Sequence, residues 1–336
     1  MFDGQSILIT GGTGSFGTRF VRRALDDTGA ERVIIFSRDE CKQHEMRQAF
    51  GDDPRLRWFI GDVRDRERLY RALDGVDVVV HAAALKQVPS CEYNPLEAIK
   101  TNVMGAANLI DAAIDRGVAR VLALSTDKAC NPVNLYGATK LCADKLFVAA
   151  NHYSGQHATA FSLIRYGNVF GSRGSVVPKF VELSRQPGQT VFPVTHPGMT
   201  RFWISLDDAV SHVMGSLGRM AGGETFVPKM RSSTMHDLAR AIDPDARVHL
   251  TGLRPGEKIH ETIIPADETG HVLDYRDYFT ILPPWAKRVT NTPTRNGDGI
   301  LCDEDWAYTS ESCEKMTIND LQGLLHGAFP REECFA

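Results

Sequence analysis

The chain has 336 residues, 43% hydrophobic and 24% charged, enough for one large α/β domain or two intimate ones. A net charge of -4 and a pI near 6.3 argue against a nucleic-acid surface and leave room only for local cationic pockets. Met1-Phe2-Asp3-Gly4-Gln5 opens without a basic segment or a long apolar run, and no apolar run reaches membrane-span length, so a cytoplasmic protein without membrane contact is expected.

Taken in order, Ser6-Ile7-Leu8-Ile9-Thr10 reads as a buried strand, followed by a glycine-rich turn and a helix from about Phe16 to Leu25. Further strands are expected at Val33–Phe36, Leu56–Ile60, Val76–Val80, Val121–Leu124 and Ala160–Ile164, separated by helical periodicity. Near-continuous apolar strands alternating with helices imply a parallel sheet covered on both faces. After Gly171 the elements shorten and Pro and Gly become more frequent. The expected division is residues 1–170 as a nucleotide-binding domain and 171–336 mainly as a smaller substrate-binding lobe. The segment Asp207 to Met220 reads as a helix returning to the first domain. The tail is polar from about Pro293 until a final helix at Ile318 to Leu325. The seven cysteines (Cys41, Cys91, Cys130, Cys142, Cys302, Cys313, Cys334) form no C-x-x-C pair and the eleven histidines show no ligand spacing, so neither disulfides nor a metal is expected.

Thr10-Gly11-Gly12-Thr13-Gly14-Ser15-Phe16-Gly17 joins the first strand to the first helix. Gly11, Gly14 and Gly17 permit a tight turn and close backbone approach to a pyrophosphate, with Ser15 and Phe16 opening the helix whose N-terminus favours an anion. A glycine motif alone can be a structural turn, but here both flanking elements are present. The expected fold is therefore α/β, a Rossmann-type doubly wound parallel sheet with a smaller C-terminal lobe. Ser37-Arg38-Asp39-Glu40 ends the second strand, with Lys42 beyond. Arg38 suits a 2′-phosphate, while Asp39 is either a ribose ligand or a helix cap; NADP is expected over NAD. Asp62 and Val63 are placed to touch adenine. Ala82, in His81-Ala82-Ala83-Ala84, leaves room for a cofactor or simply packs closely.

Ser125-Thr126-Asp127-Lys128 follows the fifth strand, and Tyr136 and Lys140 lie one helical turn apart. A cation near a phenol lowers its pKa from about 10, so Tyr136 can accept a hydroxyl proton. With the glycine turn and the alanine run, this resembles an extended short-chain dehydrogenase/reductase over most of the chain. Related sugar-nucleotide 4,6-dehydratases commonly carry Thr-Asp-Glu where this chain has Lys128. Leu85-Lys86-Gln87-Val88-Pro89-Ser90-Cys91-Glu92, Ser125 to Lys140, Met199-Thr200-Arg201-Phe202-Trp203-Ile204 and Arg254-Pro255-Gly256-Glu257-Lys258-Ile259-His260-Glu261 together resemble the inverting UDP-N-acetylglucosamine 4,6-dehydratases of the pseudaminic acid pathway. A capsule-type branch with Met in place of the Tyr is disfavoured by Tyr136.

The resemblance implies a homo-oligomer acting on UDP-GlcNAc. Tyr136, supported by Lys140 and Thr126, accepts the C4 hydroxyl proton. Lys128, neutral through a depressed pKa, removes the C5 proton, and Asp127 protonates the leaving C6 hydroxyl. It also places Lys86 at cofactor or substrate, Thr101 and Val169 at the cofactor, and Asn168, Val177 and Thr195 at the sugar nucleotide. Arg201 and Arg254 would pair with its phosphates and Glu257 with its ribose. His196 departs from the acidic residue common at its place in the family. A UDP-sugar 4-epimerase or retaining dehydratase is the closest alternative, though an epimerase gives no reason for Asp127-Lys128. A non-catalytic NADP-sensing regulator has no need of Tyr136 and Lys140.

Overall fold

A computed structural model describes the chain except residues 156–157, 187, 189, 287–298, 304 and 330–336; Cys334 and the start of the polar tail at Pro293 lie outside the described residues. Six parallel strands form its centre: β1 (Ser6–Thr10), β2 (Arg32–Ser37), β3 (Leu56–Ile60), β4 (Val78–His81), β5 (Arg120–Thr126) and β6 (Ala160–Tyr166). Their spatial order, β3-β2-β1-β4-β5-β6, reverses direction at β1 and β4, and ligands bind outside the carboxyl ends at such a switch point. β1 is buried along its whole length between β2 and β4. Its alternation sends Ile7 and Ile9 into one apolar layer and Leu8 into the other.

Helix α1 (Ser15–Asp27) covers the first layer with Phe20, Val21 and Ala24. α2 (Glu40–Phe50) and α3 (Arg66–Ala72) follow β2 and β3, each started by an aspartate, Asp39 and Asp65, whose carboxylate accepts a backbone N–H. The helix Leu206–Arg219 lies against α1, the return expected from its apolar spacing. The chain comes back to the sheet further. Thr225–Pro228 adds parallel to β6, then Tyr278–Ile281, Val272–Asp274 and Ile300–Leu301 add antiparallel, making ten strands among the described residues.

The smaller lobe has its own apolar cluster, including Phe170, Phe192, Trp203, Leu238 and Leu321. Around it stand the sheet of Arg231–Thr234, Thr200–Ile204 and Asn168–Val169 and the helices Val176–Ser184, Met235–Ile242 and Ile318–Ala328. The last helix starts with a capping box between Thr317 and Asp320.

His81, at the end of β4, is fully enclosed, with Nδ1 2.8 Å from the Thr10 hydroxyl. Burial, helped by the Lys140 charge, pushes its imidazole down to about 3. The unfolded chain binds a proton below about 6.5 that the folded chain refuses, so stability falls as pH drops between those values by about 1.4 kcal/mol per pH unit. Urea unfolding is expected to show His81→Gln losing about 2 kcal/mol less than wild type between roughly pH 7 and pH 5. Equal losses in both proteins contradict this.

Candidate active site

The carboxyl ends of the central strands open into a cavity of about 790 Å³ between the sheet and the smaller lobe, a volume typical of ligand sites. At one end lies the glycine turn. Gly11 adopts φ +67°, and a Cβ there would stand 2.9 Å from the Ala83 backbone nitrogen, so the turn is wedged against the Ala82-Ala83 backbone and requires glycine. Gly14 caps α1 with no side chain over the helix end, and Ser15, Phe16 and Gly17 line the cavity beside it. These exposed helix-start N–H groups and this close backbone approach fit the pyrophosphate of a dinucleotide.

Ser37, Arg38, Asp39, Lys42, Asp62, Val63 and Ala82 line the same end. Gln43 fixes Ser37 by donating to its hydroxyl at 3.0 Å. Asp39 caps α2, accepting from the Lys42 backbone at 3.0 Å and pairing with its ammonium at 2.9 Å. Among the described residues Arg38 makes only a loose contact, 3.5 Å to Asp62, and it is half exposed, so its guanidinium is available to a ligand. Thr101 sits in a wide helical turn, Lys100–Met104, with a buried hydroxyl that has no partner among the described residues. Val169 completes this wall.

The reactive groups meet beyond the end of β5. The helix Leu135–Tyr153 starts at Asn134, whose side chain accepts from the Gly137 backbone at 2.8 Å. Gly137 packs directly on the Lys128 carbonyl, where a Cβ would collide, and this brings Tyr136 alongside the Thr126–Lys128 turn. Asp127 is fully buried; its Oδ1 accepts from the Thr126 hydroxyl at 2.9 Å and from Lys128 Nζ at 3.0 Å. Lys128 Nζ also donates to Asn168 Oδ1 at 3.2 Å and lies 3.6 Å from Glu261.

These surroundings correct the expectation of a neutral Lys128. Burial does disfavour its charge, but Asp127 and Glu261 together outweigh burial and the repulsion from Arg201, and Lys128 is held as an ammonium above its usual range. Tyr136 is corrected too. Burial pushes its phenol up to about 12, and the groups pulling it down are Lys128 and the Thr126 hydroxyl. Lys140 instead donates to the Leu124 carbonyl at 2.7 Å. Burial lowers its proton affinity and Asp144, one turn along the helix, opposes this. Asp144 accepts from Ser125 at 2.6 Å; neither it nor Glu261 was singled out from the sequence.

Lys86, Asn168, Thr195, Arg201, Arg254 and Glu257 all line the same cavity. Val177 does not: it is fully buried in the small-lobe cluster, and its neighbour Val176 faces the cavity, a one-residue difference in helix phase. Arg201 is 7% exposed and donates to the carbonyls of Thr200 (2.7 Å), Lys258 (2.9 Å) and Ile259 (3.0 Å). It also lies 3.8 Å from both Glu257 and Glu261. Glu257 accepts from the Arg254 backbone at 3.2 Å. His196 stays outside the lining, its Nδ1 accepting from Gly198. The Cys130 thiol is buried, donates to the Ile263 carbonyl and is pushed up to about 12 by burial, an unreactive state.

Residues 7–283 match the family model described as polysaccharide biosynthesis protein. A UDP-N-acetylglucosamine 4,6-dehydratase (inverting) of Campylobacter jejuni is 53% identical over 283 residues, 84% of each chain. A protein named UDP-glucose 4-epimerase in Rickettsia massiliae is 40% identical over 97% of this chain and 96% of its own. Among solved structures, Pen from Bacillus thuringiensis superposes with a TM-score of 0.89 at 33% identity, covering 98% of both chains. DesIV, a dTDP-glucose 4,6-dehydratase from Streptomyces venezuelae with NAD and TYD bound, gives 0.68 at 26% identity, covering 76% of this chain and 87% of its own. The chain belongs to the polysaccharide biosynthesis protein family, within the extended short-chain dehydrogenase/reductases.

Proposed function

We propose that this chain is an NADP-dependent UDP-GlcNAc 4,6-dehydratase that inverts C5, a hydro-lyase yielding UDP-2-acetamido-2,6-dideoxy-β-L-arabino-hex-4-ulose. The observation that carries the reading is the Asp127–Lys128 pair, 3.0 Å apart, whose lysine lines the same cavity as Tyr136 and the glycine turn while Asp127 is buried directly behind it. A 4-epimerase needs proton transfer at the C4 oxygen alone and has no task for this pair. The reading extends to a cytoplasmic homo-oligomer on the route to pseudaminic acid.

NADP held by the Gly11–Gly17 turn, Arg38 and Thr101 would supply a hydride acceptor for C4, a hydride donor for C6 and, while oxidised, a positive ring charge. Tyr136, assisted by Thr126 and that charge, takes the C4 hydroxyl proton. The C4 ketone acidifies C5–H. A proton passing from the Lys128 ammonium to the Asp127 carboxylate makes an amine and a carboxylic acid in one move, with no change in net charge. The amine takes the C5 proton; the Asp127 proton goes to the C6 hydroxyl, which leaves as water while the C5–H electron pair forms the C5–C6 double bond. Lys128 and Asp127 finish as the ion pair they began as. C5 then accepts a proton from water on the opposite face as hydride would return to C6, and Tyr136 releases to solvent the proton it took from the C4 hydroxyl. Arg201 and Arg254 hold the diphosphate, with Glu257 at the ribose and Asn168, Thr195 and Lys86 at the sugar.

The deciding experiment is incubation of UDP-GlcNAc with purified protein in D2O, followed by NMR. Expected is a 4-keto-6-deoxy product with deuterium at C5, inverted C5 configuration and no net NADPH. Conversion to the C4 epimer without water loss would instead establish an epimerase, and retained C5 configuration a retaining dehydratase.

Cofactor choice is tested separately. With Arg38 only loosely engaged by Asp62, Arg38→Ala is expected to weaken NADP binding by roughly 1.5–3 kcal/mol, the worth of a charge-assisted hydrogen bond, and to leave NAD binding nearly unchanged. Equal weakening of both cofactors in fluorescence titrations contradicts a 2′-phosphate contact.

A further inference from the structure

Glu261 is 3% exposed and lines the cavity. Its Oε1 lies 3.6 Å from Lys128 Nζ and 3.8 Å from Arg201 Nε, and Oε2 lies 3.9 Å from Lys258 Nζ. That second oxygen has no hydrogen-bond partner among the described residues. The backbone is secured independently of the side chain: Glu261 N donates to the Ser310 hydroxyl at 2.8 Å and Ser310 N to the Glu261 carbonyl at 2.7 Å. Burying a carboxylate is costly unless cations repay it, so a residue needed only for the backbone pairing just ahead of the strand Thr262–Ile264 would not be acidic.

We propose that Glu261 is a positioning residue for the elimination, holding Lys128 in place during the interval when Asp127 carries its proton. The proposal rests on the dehydratase reading. After the amine has taken the C5 proton, with the electron pair resting in the enolate of the C4 ketone, and before water departs, Lys128 is an ammonium and Asp127 is still a carboxylic acid. The attraction that holds the resting pair is then absent. Glu261 is the other carboxylate paired with Lys128 among the described residues, and Asn168 offers only a neutral oxygen. Removing the Glu261 charge destabilises this interval and leaves C4 oxidation, which uses Tyr136 and Thr126, in place.

The test is single turnover of UDP-GlcNAc by the cofactor-loaded Glu261→Gln protein, following reduced-nicotinamide absorbance for C4 oxidation and mass spectrometry for water loss. Expected is oxidation within ~3-fold of wild type, elimination slowed ~10-fold or more, and a build-up of reduced cofactor between the two. Binding of UDP, measured by calorimetry, does not weaken, because a negative charge has been removed beside Arg201. Glu261→Asp, which keeps the charge one methylene shorter, recovers part of the elimination rate and serves on its own if the amide variant does not fold. Wild-type elimination in Glu261→Gln, parallel loss of oxidation and elimination, or an aspartate variant no better than the amide overturns the proposal. A wild-type protein that releases no water from UDP-GlcNAc overturns the dehydratase reading, and this role with it.

Discussion

An ammonium enclosed beyond a strand end is tolerable only with negative charge around it, and that requirement organises the site. Lys128 leaves β5 into the cavity wall with its side chain only 23% exposed, so losing most of its hydration costs more than one surface-type ion pair returns. Asp127 supplies the nearest charge and Glu261 the second. Glu261 in turn needs cations of its own, which Arg201 and Lys258 supply. The loop from Arg254 to Glu261 is thereby drawn over the cavity, with Arg201 tying down its carbonyls. The smaller lobe is thus connected to the sheet through the same charges that face the substrate space.

This arrangement changes how acid and base are to be pictured. A lysine made neutral by burial alone would need an apolar pocket, and Asp127 beside it would be an unpaired buried carboxylate. The pair avoids both costs by storing one shared proton. On the proposed mechanism the two residues exchange roles by a short internal transfer, so bulk solvent has no part in setting up the elimination.

Much of the fold was legible in the chain. The apolar runs of β1 to β6 and the glycine turn pointed to a doubly wound parallel sheet, though not to its strand order, and Asp207–Met220 read as a helix, found at Leu206–Arg219. The returning strands Thr225–Pro228, Val272–Asp274 and Tyr278–Ile281 were not legible: three or four residues carry too little periodicity to separate strand from loop, and their partners are distant in sequence. Val177 was misplaced for a related reason. On a short helix with adjacent valines, phase depends on packing that sequence alone does not report.

The site followed the same division. Thr126, Asp127, Lys128, Tyr136 and Lys140 are close in sequence and their types announce proton chemistry. Their charge states are another matter, because Lys128 is governed by a carboxylate 133 positions further along and Tyr136 by how completely it is enclosed. Glu261 stood in a recognisable motif, but nothing local distinguished it from the acidic residues of a solvated loop.

The claim on which the account depends is that Lys128 rests as an ammonium beside ionised Asp127. Nitrogen-15 NMR of lysine-labelled protein measures this directly, with the Lys128 Nζ resonance identified by its absence in Lys128→Met. At about pH 8 the account predicts the chemical shift of a charged ammonium, with no titration up to the ordinary lysine range near 10.4. A neutral amine at that pH would show that the pair does not store its proton on Lys128 and would contradict the account.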